Sequence, residues 1–144
     1  MFLRWAALAL VLALGCLTPE SASGQSVQPD QQSRGRKSGI LGQNYPNPFN
    51  PETNIPFSLA CDEGGGGEFV VSLRIYNVLA QLVAIPVLQE RDEALDSIKL
   101  PCGDYVAYWD GKVLGTGRAA APGIYIYELL VDGERSAKKM YIAK

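Results

Sequence analysis

In the C-terminal two-thirds of this chain the apolar residues recur at every second position. Ile55, Phe57 and Leu59 alternate with Asn54, Pro56 and Ser58, and Val71, Leu73 and Ile75 alternate with Ser72, Arg74 and Tyr76. The same period runs through Val83, Ile85 and Val87, through Ile98 and Leu100, and through Tyr105, Ala107 and Trp109. It returns at Tyr125, Tyr127 and Leu129 and closes with Met140 and Ile142. Successive side chains of a strand point to opposite faces, so each run supplies one face for a core. No segment keeps a 3.6-residue period over a helix-length window. The pattern predicts an all-β chain of seven strands, spaced and punctuated as in an antiparallel β-sandwich.

The intervals carry turn chemistry. Asp132-Gly133 separates two alternating runs and is the strongest hairpin signal in the chain. Asn77–Gln81 is expected to link the second and third strands, and Asp110-Gly111 to end the fifth. The four glycines Gly64–Gly67 read as a flexible hairpin tip between the first and second strands. They are not a phosphate loop, because no Lys-Ser/Thr follows them and no helix begins there. Pro86 cannot donate to a ladder, which predicts an edge position for the third strand.

The first residues have a different character. Arg4 precedes the ten-residue apolar stretch Trp5–Leu14, and small residues follow. This is the layout of a secretory signal, and it is too short for a bilayer span of about 20 residues. Ser21-Ala22-Ser23 or Ala22-Ser23-Gly24 offers a cleavage frame for ordinary signal peptidase. The alternative is a lipoprotein acceptor at Cys16, although Ala13 stands where such sites usually carry Leu. Residues 1–24 are therefore assigned as a signal peptide. Residues 25–39 are assigned as a flexible polar linker containing Arg34, Arg36 and Lys37, and residues 40–144 as the folded domain.

Composition narrows the function. The chain has no His, which removes Ser-His-Asp and Cys-His triads and His-containing zinc sites. A formal charge of −2 gives no footprint for nucleic acid. The carboxylates are scattered over loops and polar faces, so no catalytic residue, metal site or cofactor is assigned, and a monomer is expected. Of three cysteines, Cys16 falls in the signal. Ordinary cleavage leaves Cys61 and Cys102 in an oxidising compartment, and a disulfide between them is expected.

One segment is more specific than any pattern of periods. Residues 41–59 read Leu41-x-Gln43-Asn44-Tyr45-Pro46-Asn47-Pro48-Phe49-Asn50-Pro51-x-Thr53-x-Ile55-x-Phe57-x-Leu59. A second block has Val71, Leu73 and Ile75-Tyr76-Asn77 followed by Gln81 and Val83. A third has Trp109-Asp110-Gly111, then Gly123-Ile124-Tyr125-Ile126-Tyr127-x-Leu129. The last has Lys138-Lys139-Met140 and the terminal Lys144. In this order, over residues 40–144, they resemble the type A C-terminal sorting domain of the type IX secretion system. That family is related to the Ig-like domain of the flagellar hook-capping protein FlgD. The chain departs from the family at Ala80, where Gly is usual, and at Lys112-Val113, where a second acidic residue is common. Members usually follow a large cargo, whereas here only signal and linker precede the domain.

The resemblance implies an Ig-like sandwich recognised by the translocon at the outer membrane, then released or attached at the cell surface, in some members after a sortase-like peptidase has removed the domain. The recognition residues would be Asn44, Tyr45, Pro46, Asn47, Pro48, Phe49, Asn50 and Pro51, with Lys138, Lys139 and Lys144 of the last strand. The three prolines restrict themselves and the residues before them, so the opening segment is expected to be extended and stiff, a fixed first strand. Trp109 is expected as a core anchor, with Tyr125 and Tyr127 also in the core. Asp110 is expected to bond nearby backbone N–H groups. Lys138 and Lys139 should face opposite sides of a strand whose charge discourages edge pairing. Membrane contact would be transient, or would run through a lipid on Cys16. A different class of function is a stand-alone structural or adhesive Ig-like module, lipid-anchored at Cys16. A third possibility is the surviving tail of a longer gene.

Overall fold

The computed structural model describes residues 38–144. The expected signal and all but the last two residues of the expected linker lie outside the described residues. Within them the chain has strands and turns and no helix. The strands are β1 (Gly39–Leu41), β2 (Thr53–Leu59), β3 (Glu68–Asn77), β4 (Leu82–Ala84) and β5 (Val87–Leu88), then β6 (Glu93–Ala94), β7 (Ile98–Pro101), β8 (Gly103–Trp109), β9 (Gly123–Val131) and β10 (Glu134–Ile142). They form two antiparallel sheets. The first has the order β1-β2-β8-β5-β6, and the second has β10-β9-β3-β4 with β7 also pairing β3.

The core between the sheets is built by the expected alternation. Thr53, Ile55, Phe57 and Leu59 of β2 are buried, and the residues between them are half-buried. From the other sheet come Val71, Leu73 and Ile75 of β3 and Tyr125, Tyr127, Leu129 and Val131 of β9. Each apolar run thus removes one face from water, and the residues from both sheets form one buried cluster.

The expected seven strands become ten. All seven alternating runs lie on strands, but the third is cut at Pro86. Before it, β4 pairs β3 in the second sheet; after it, β5 pairs β8 in the first. Pro86 therefore marks a corner where the chain changes sheets, and its carbonyl accepts the Leu95 N–H at 2.9 Å. The segments β1 and β6 are too short to show a period. The glycine run is also corrected: β2 and β3 belong to different sheets, so Gly64–Gly67 is a crossover and not a hairpin tip. Asp62 Oδ1 accepts the Gly64 and Gly66 N–H groups at 3.0 and 2.8 Å there. Beside that crossover, Cys61 and Cys102 are joined in a disulfide, with Cα atoms 5.0 Å apart. It ties the end of β2 to the corner between β7 and β8.

The β9–β10 hairpin turns on Asp132-Gly133, with Val131 opposite Glu134. Both turn residues have positive φ, 47° and 89°, the geometry that matches the strand twist. Ala80, in the turn between β3 and β4, has φ 58°.

Candidate functional site

The Pro-rich opening does not run as an extended strand. Tyr45 N–H donates to the Asn54 carbonyl and Asn54 N–H to the Tyr45 carbonyl, each at 2.9 Å, so the chain doubles back between them. The Tyr45–Pro46, Asn47–Pro48 and Asn50–Pro51 peptide bonds are cis. The stiff first strand expected from the prolines is thus a closed loop, held by a ladder rung at its foot.

The loop is divided between inside and outside. Phe49 is 1% exposed and packs edge-on against Trp109, ring centroids 5.5 Å apart. Trp109 in turn meets Tyr125 edge-on at 5.7 Å. Edge-to-face contacts set the positive rim of one ring against the negative face of the next. The polar ends are satisfied: Trp109 Nε1–H donates to the Lys112 carbonyl at 2.9 Å, and the Tyr125 hydroxyl to the Ala121 carbonyl at 2.8 Å. Asn44 is the second buried member. Its Nδ2 donates to the Pro46 carbonyl and to Thr53 Oγ1, at 3.1 and 3.0 Å. Its N–H donates to the Tyr127 hydroxyl at 3.0 Å, and that hydroxyl donates to the Gly42 carbonyl at 2.8 Å. Burial pushes the Tyr127 hydroxyl above the usual tyrosine range, against the opposing pull of the Asn44 N–H, so it stays a neutral donor. Tyr45, Pro46, Asn47, Pro48, Asn50 and Pro51 are exposed.

The exposed half lies along the last strand. Phe49 N–H donates to the Tyr141 carbonyl and Ala143 N–H to the Phe49 carbonyl, both at 2.9 Å. Tyr141 N–H donates to Asn47 Oδ1 at 3.0 Å, and Gln43 Nε2 donates to the Lys139 carbonyl at 3.2 Å. Residues more than ninety positions apart therefore share one rim. Strand β10 is the outer edge of its sheet, and the loop covers the C-terminal half of that edge. Lys138 and Lys139 are exposed and make no ion pair among the described residues. Lys139 lies opposite Ile126 and Tyr141 opposite Ile124 on the outer face, and Lys138 shares the inward direction of buried Met140. Lys144 follows Ala143 and is exposed.

The outer face beside Lys139 is apolar. The row Lys139–Ile126–Tyr76–Leu82 crosses the second sheet, next to Tyr141 and Ile124. Tyr141, Ile124 and Leu82 keep 45%, 44% and 43% of their surface in water.

Asp110 closes the turn after β8. Its Oδ1 accepts the Lys112 N–H and its Oδ2 the Lys112 ammonium, each at 3.0 Å. Burial pushes the carboxyl up, but the bonds to Lys112 outweigh it and leave Asp110 below the usual range. Gly111 has φ 75°, and a Cβ there would stand 2.1 Å from the Pro51 carbonyl oxygen, so the turn packs directly on the end of the Pro-rich loop. Among the described residues no group of three or more His, Cys, Asp or Glu is placed to hold a metal. No helix among them is long and apolar enough to cross a membrane.

Sequence reasoning missed Gln43, Thr53 and Tyr141 as partners of the motif. Thr53 carried a readable sign, a polar residue at an inward position of an alternating strand. Gln43 stands in the motif itself, but its contact with Lys139, like those of Tyr141, depends on where distant parts of the chain are brought together.

No family model and no curated protein matches the chain. Among solved structures, it is similar to the Pseudomonas fluorescens alkylpurine DNA glycosylase AlkC bound to DNA containing an abasic site analog. The TM-score is 0.49 at 17% identity, over 74% of this chain and 31% of that one.

Proposed function

We propose that this chain is a non-catalytic, Ig-like sorting module for type IX secretion, recognised at the rim formed by the Pro-rich loop and strand β10. The observation that carries this reading is the bonding of Phe49 and Asn47 to Tyr141 and Ala143. The two segments that the resemblance marks for recognition are separate in sequence, and a single receptor surface can meet both. The loop's buried half, Asn44 and Phe49, holds it in place. Its exposed half, with Lys138, Lys139 and Lys144, faces a partner. In this reading the signal peptide delivers the chain to the periplasm, and the translocon then takes it to the cell surface. A sortase-like peptidase is a further candidate partner.

The test is a fusion of residues 38–144 behind a periplasmic reporter, in a host that has this secretion system. Surface delivery is expected, and loss of delivery when β10 is deleted. A reporter that remains periplasmic with the domain intact refutes the reading.

The exposed Tyr141, Ile124 and Leu82 favour a second reading, an adhesive module that binds through the outer face of the second sheet. Anchoring at Cys16 belongs to that reading. A lipidated Cys16 at the mature N-terminus supports it, and a start near Gly24 or Gln25 supports the first.

A further inference from the structure

Strand β10 is only half covered. In the two-residue β9–β10 hairpin, Val131 and Glu134 face each other across the turn and exchange hydrogen bonds. Alternation then turns the main-chain groups of Ser136, Lys138 and Met140 towards β9, and those of Arg135, Ala137, Lys139 and Tyr141 outward. The outward groups of Tyr141 and the carbonyl of Lys139 are taken by Phe49, Asn47 and Gln43. The N–H and C=O groups of Arg135 and Ala137, and the N–H of Lys139, have no partner among the described residues. They border a groove of about 340 Å³ between β10 and β1, which is the edge strand of the other sheet. Gly39, Ile40 and Leu41 form its far wall; a neighbouring cavity of about 200 Å³, which shares Gly39, Arg135 and Ser136 with it, reaches Leu129 and Val131.

We propose that this open edge, Arg135 to Lys139, takes an extended peptide as an added strand, and that the peptide alternates acidic and apolar residues. The free N–H and C=O groups supply the ladder, the general mode of strand addition. Charge selects the occupant. The edge segment carries Arg135, Lys138 and Lys139 against Glu134; among the described residues Arg135 pairs with Glu128 at 3.8 Å, Glu134 Oε2 accepts the Ser38 N–H at 3.1 Å, and neither lysine has an ion pair. On the outer face, carboxylates of an added strand would lie beside Arg135 and Lys139; on the inner face, apolar side chains would turn towards the far wall of the groove at Gly39, Ile40 and Leu41. A second copy of this strand pairing antiparallel about Ala137 would set Arg135 directly opposite Lys139, and like charges directly opposite are destabilising.

The proposal rests on the sorting reading only for its biological role, and the two are tested apart. Amide exchange is followed in the full-length chain, with and without a synthetic peptide of alternating valine and glutamate. The amides of Arg135, Ala137 and Lys139 are expected to slow by roughly tenfold or more at saturation. Those of Ser136 and Lys138, already in the ladder to β9, are expected to change little. Raising salt to about 1 M, where the Debye length is about 3 Å, is expected to weaken binding severalfold. Ala137→Pro removes an outward N–H while leaving the β9 ladder intact, and is expected to lose roughly tenfold in affinity. The double change Lys138→Glu, Lys139→Glu keeps the backbone and is expected to shift preference to a valine–lysine peptide. Protection that ignores the odd–even alternation, equal binding of the lysine peptide to the unchanged chain, or no protection at all overturns the proposal. A chain that binds the glutamate peptide but fails to export its reporter keeps this edge and removes the sorting role. One that exports but shows no protection does the reverse.

Discussion

Phe49→Ala is the sharpest probe of how the Pro-rich loop is held. The ring is 1% exposed and lies edge-on to Trp109 at 5.5 Å, so truncation removes nearly its whole buried surface and leaves a void beside an aromatic pair. Phe-to-Ala changes in a packed core cost about 3–5 kcal/mol, and the loss of the edge-to-face contact places this one at about 4 kcal/mol. For a domain of this size that corresponds to a fall in Tm of roughly 15–30 °C. The assay is urea and thermal unfolding of the full-length chain, read by near-ultraviolet circular dichroism from Trp109 and its neighbours. The paired control is Asn47→Ala, which leaves the core untouched and removes one exposed bond to Tyr141 N–H at 3.0 Å; it should cost under about 1 kcal/mol. A Phe49→Ala loss below about 1 kcal/mol would show that the ring is not part of the core. The division of the loop into an anchoring half and a presenting half would then be wrong. If instead the large loss appears, Asn47→Ala can be carried into the export assay as a change to the rim without a change to the fold.

Other perturbations follow from single features. Ala80→Gly should stabilise the protein by about 0.5–1 kcal/mol, because a left-handed Ala costs about 1–2 kcal/mol and Gly gives back part of that as entropy of the unfolded chain; a lower denaturation midpoint would contradict the φ of 58°. Breaking Cys61–Cys102, separated by 41 residues, should cost about 4 kcal/mol in the chain-entropy account, and a thiol assay that finds both cysteines reactive in native secreted protein would remove the bridge altogether. The lowered pKa of Asp110 means that its stabilising contribution is complete above the unfolded value of 3.8 and is lost as pH falls through the lower folded value. Asp110→Asn should therefore flatten the loss of stability below that pH, and an unchanged acid limb would show that Lys112 does not hold the carboxylate.

Much of the secondary structure was legible because it is local. Period 2 marks a strand wherever it occurs, and Asp132-Gly133 marks a tight hairpin through its own allowed φ. The inward roles of Trp109, Tyr125 and Tyr127 also follow from parity along β8 and β9. Alternation says which residues share a face, but not which sheet a strand joins. Sheet membership depends on pairings across long stretches of chain. Pro86 therefore reads from sequence as an edge marker although it turns a corner between sheets, and Gly64–Gly67 reads as a hairpin tip although it crosses from one sheet to the other.

The candidate site shows the same division more sharply. By itself the amino-acid sequence determined an all-β chain and the position of its tight hairpin turn, and it marked the Pro-rich segment as stiff while leaving its path as a strand or a closed loop to the fold. The tertiary structure alone decided that Phe49 and Asn44 go inward, that Tyr45 and Asn47 stay outside, and that the loop lies on β10. The physical reason is burial: the place beside Trp109 exists only once both sheets have closed, and an apolar ring is drawn into it whatever its neighbours along the chain prefer. The same closure leaves Arg135 and Ala137 on an open edge, because the loop is long enough to cover Tyr141 and Lys139 and no further.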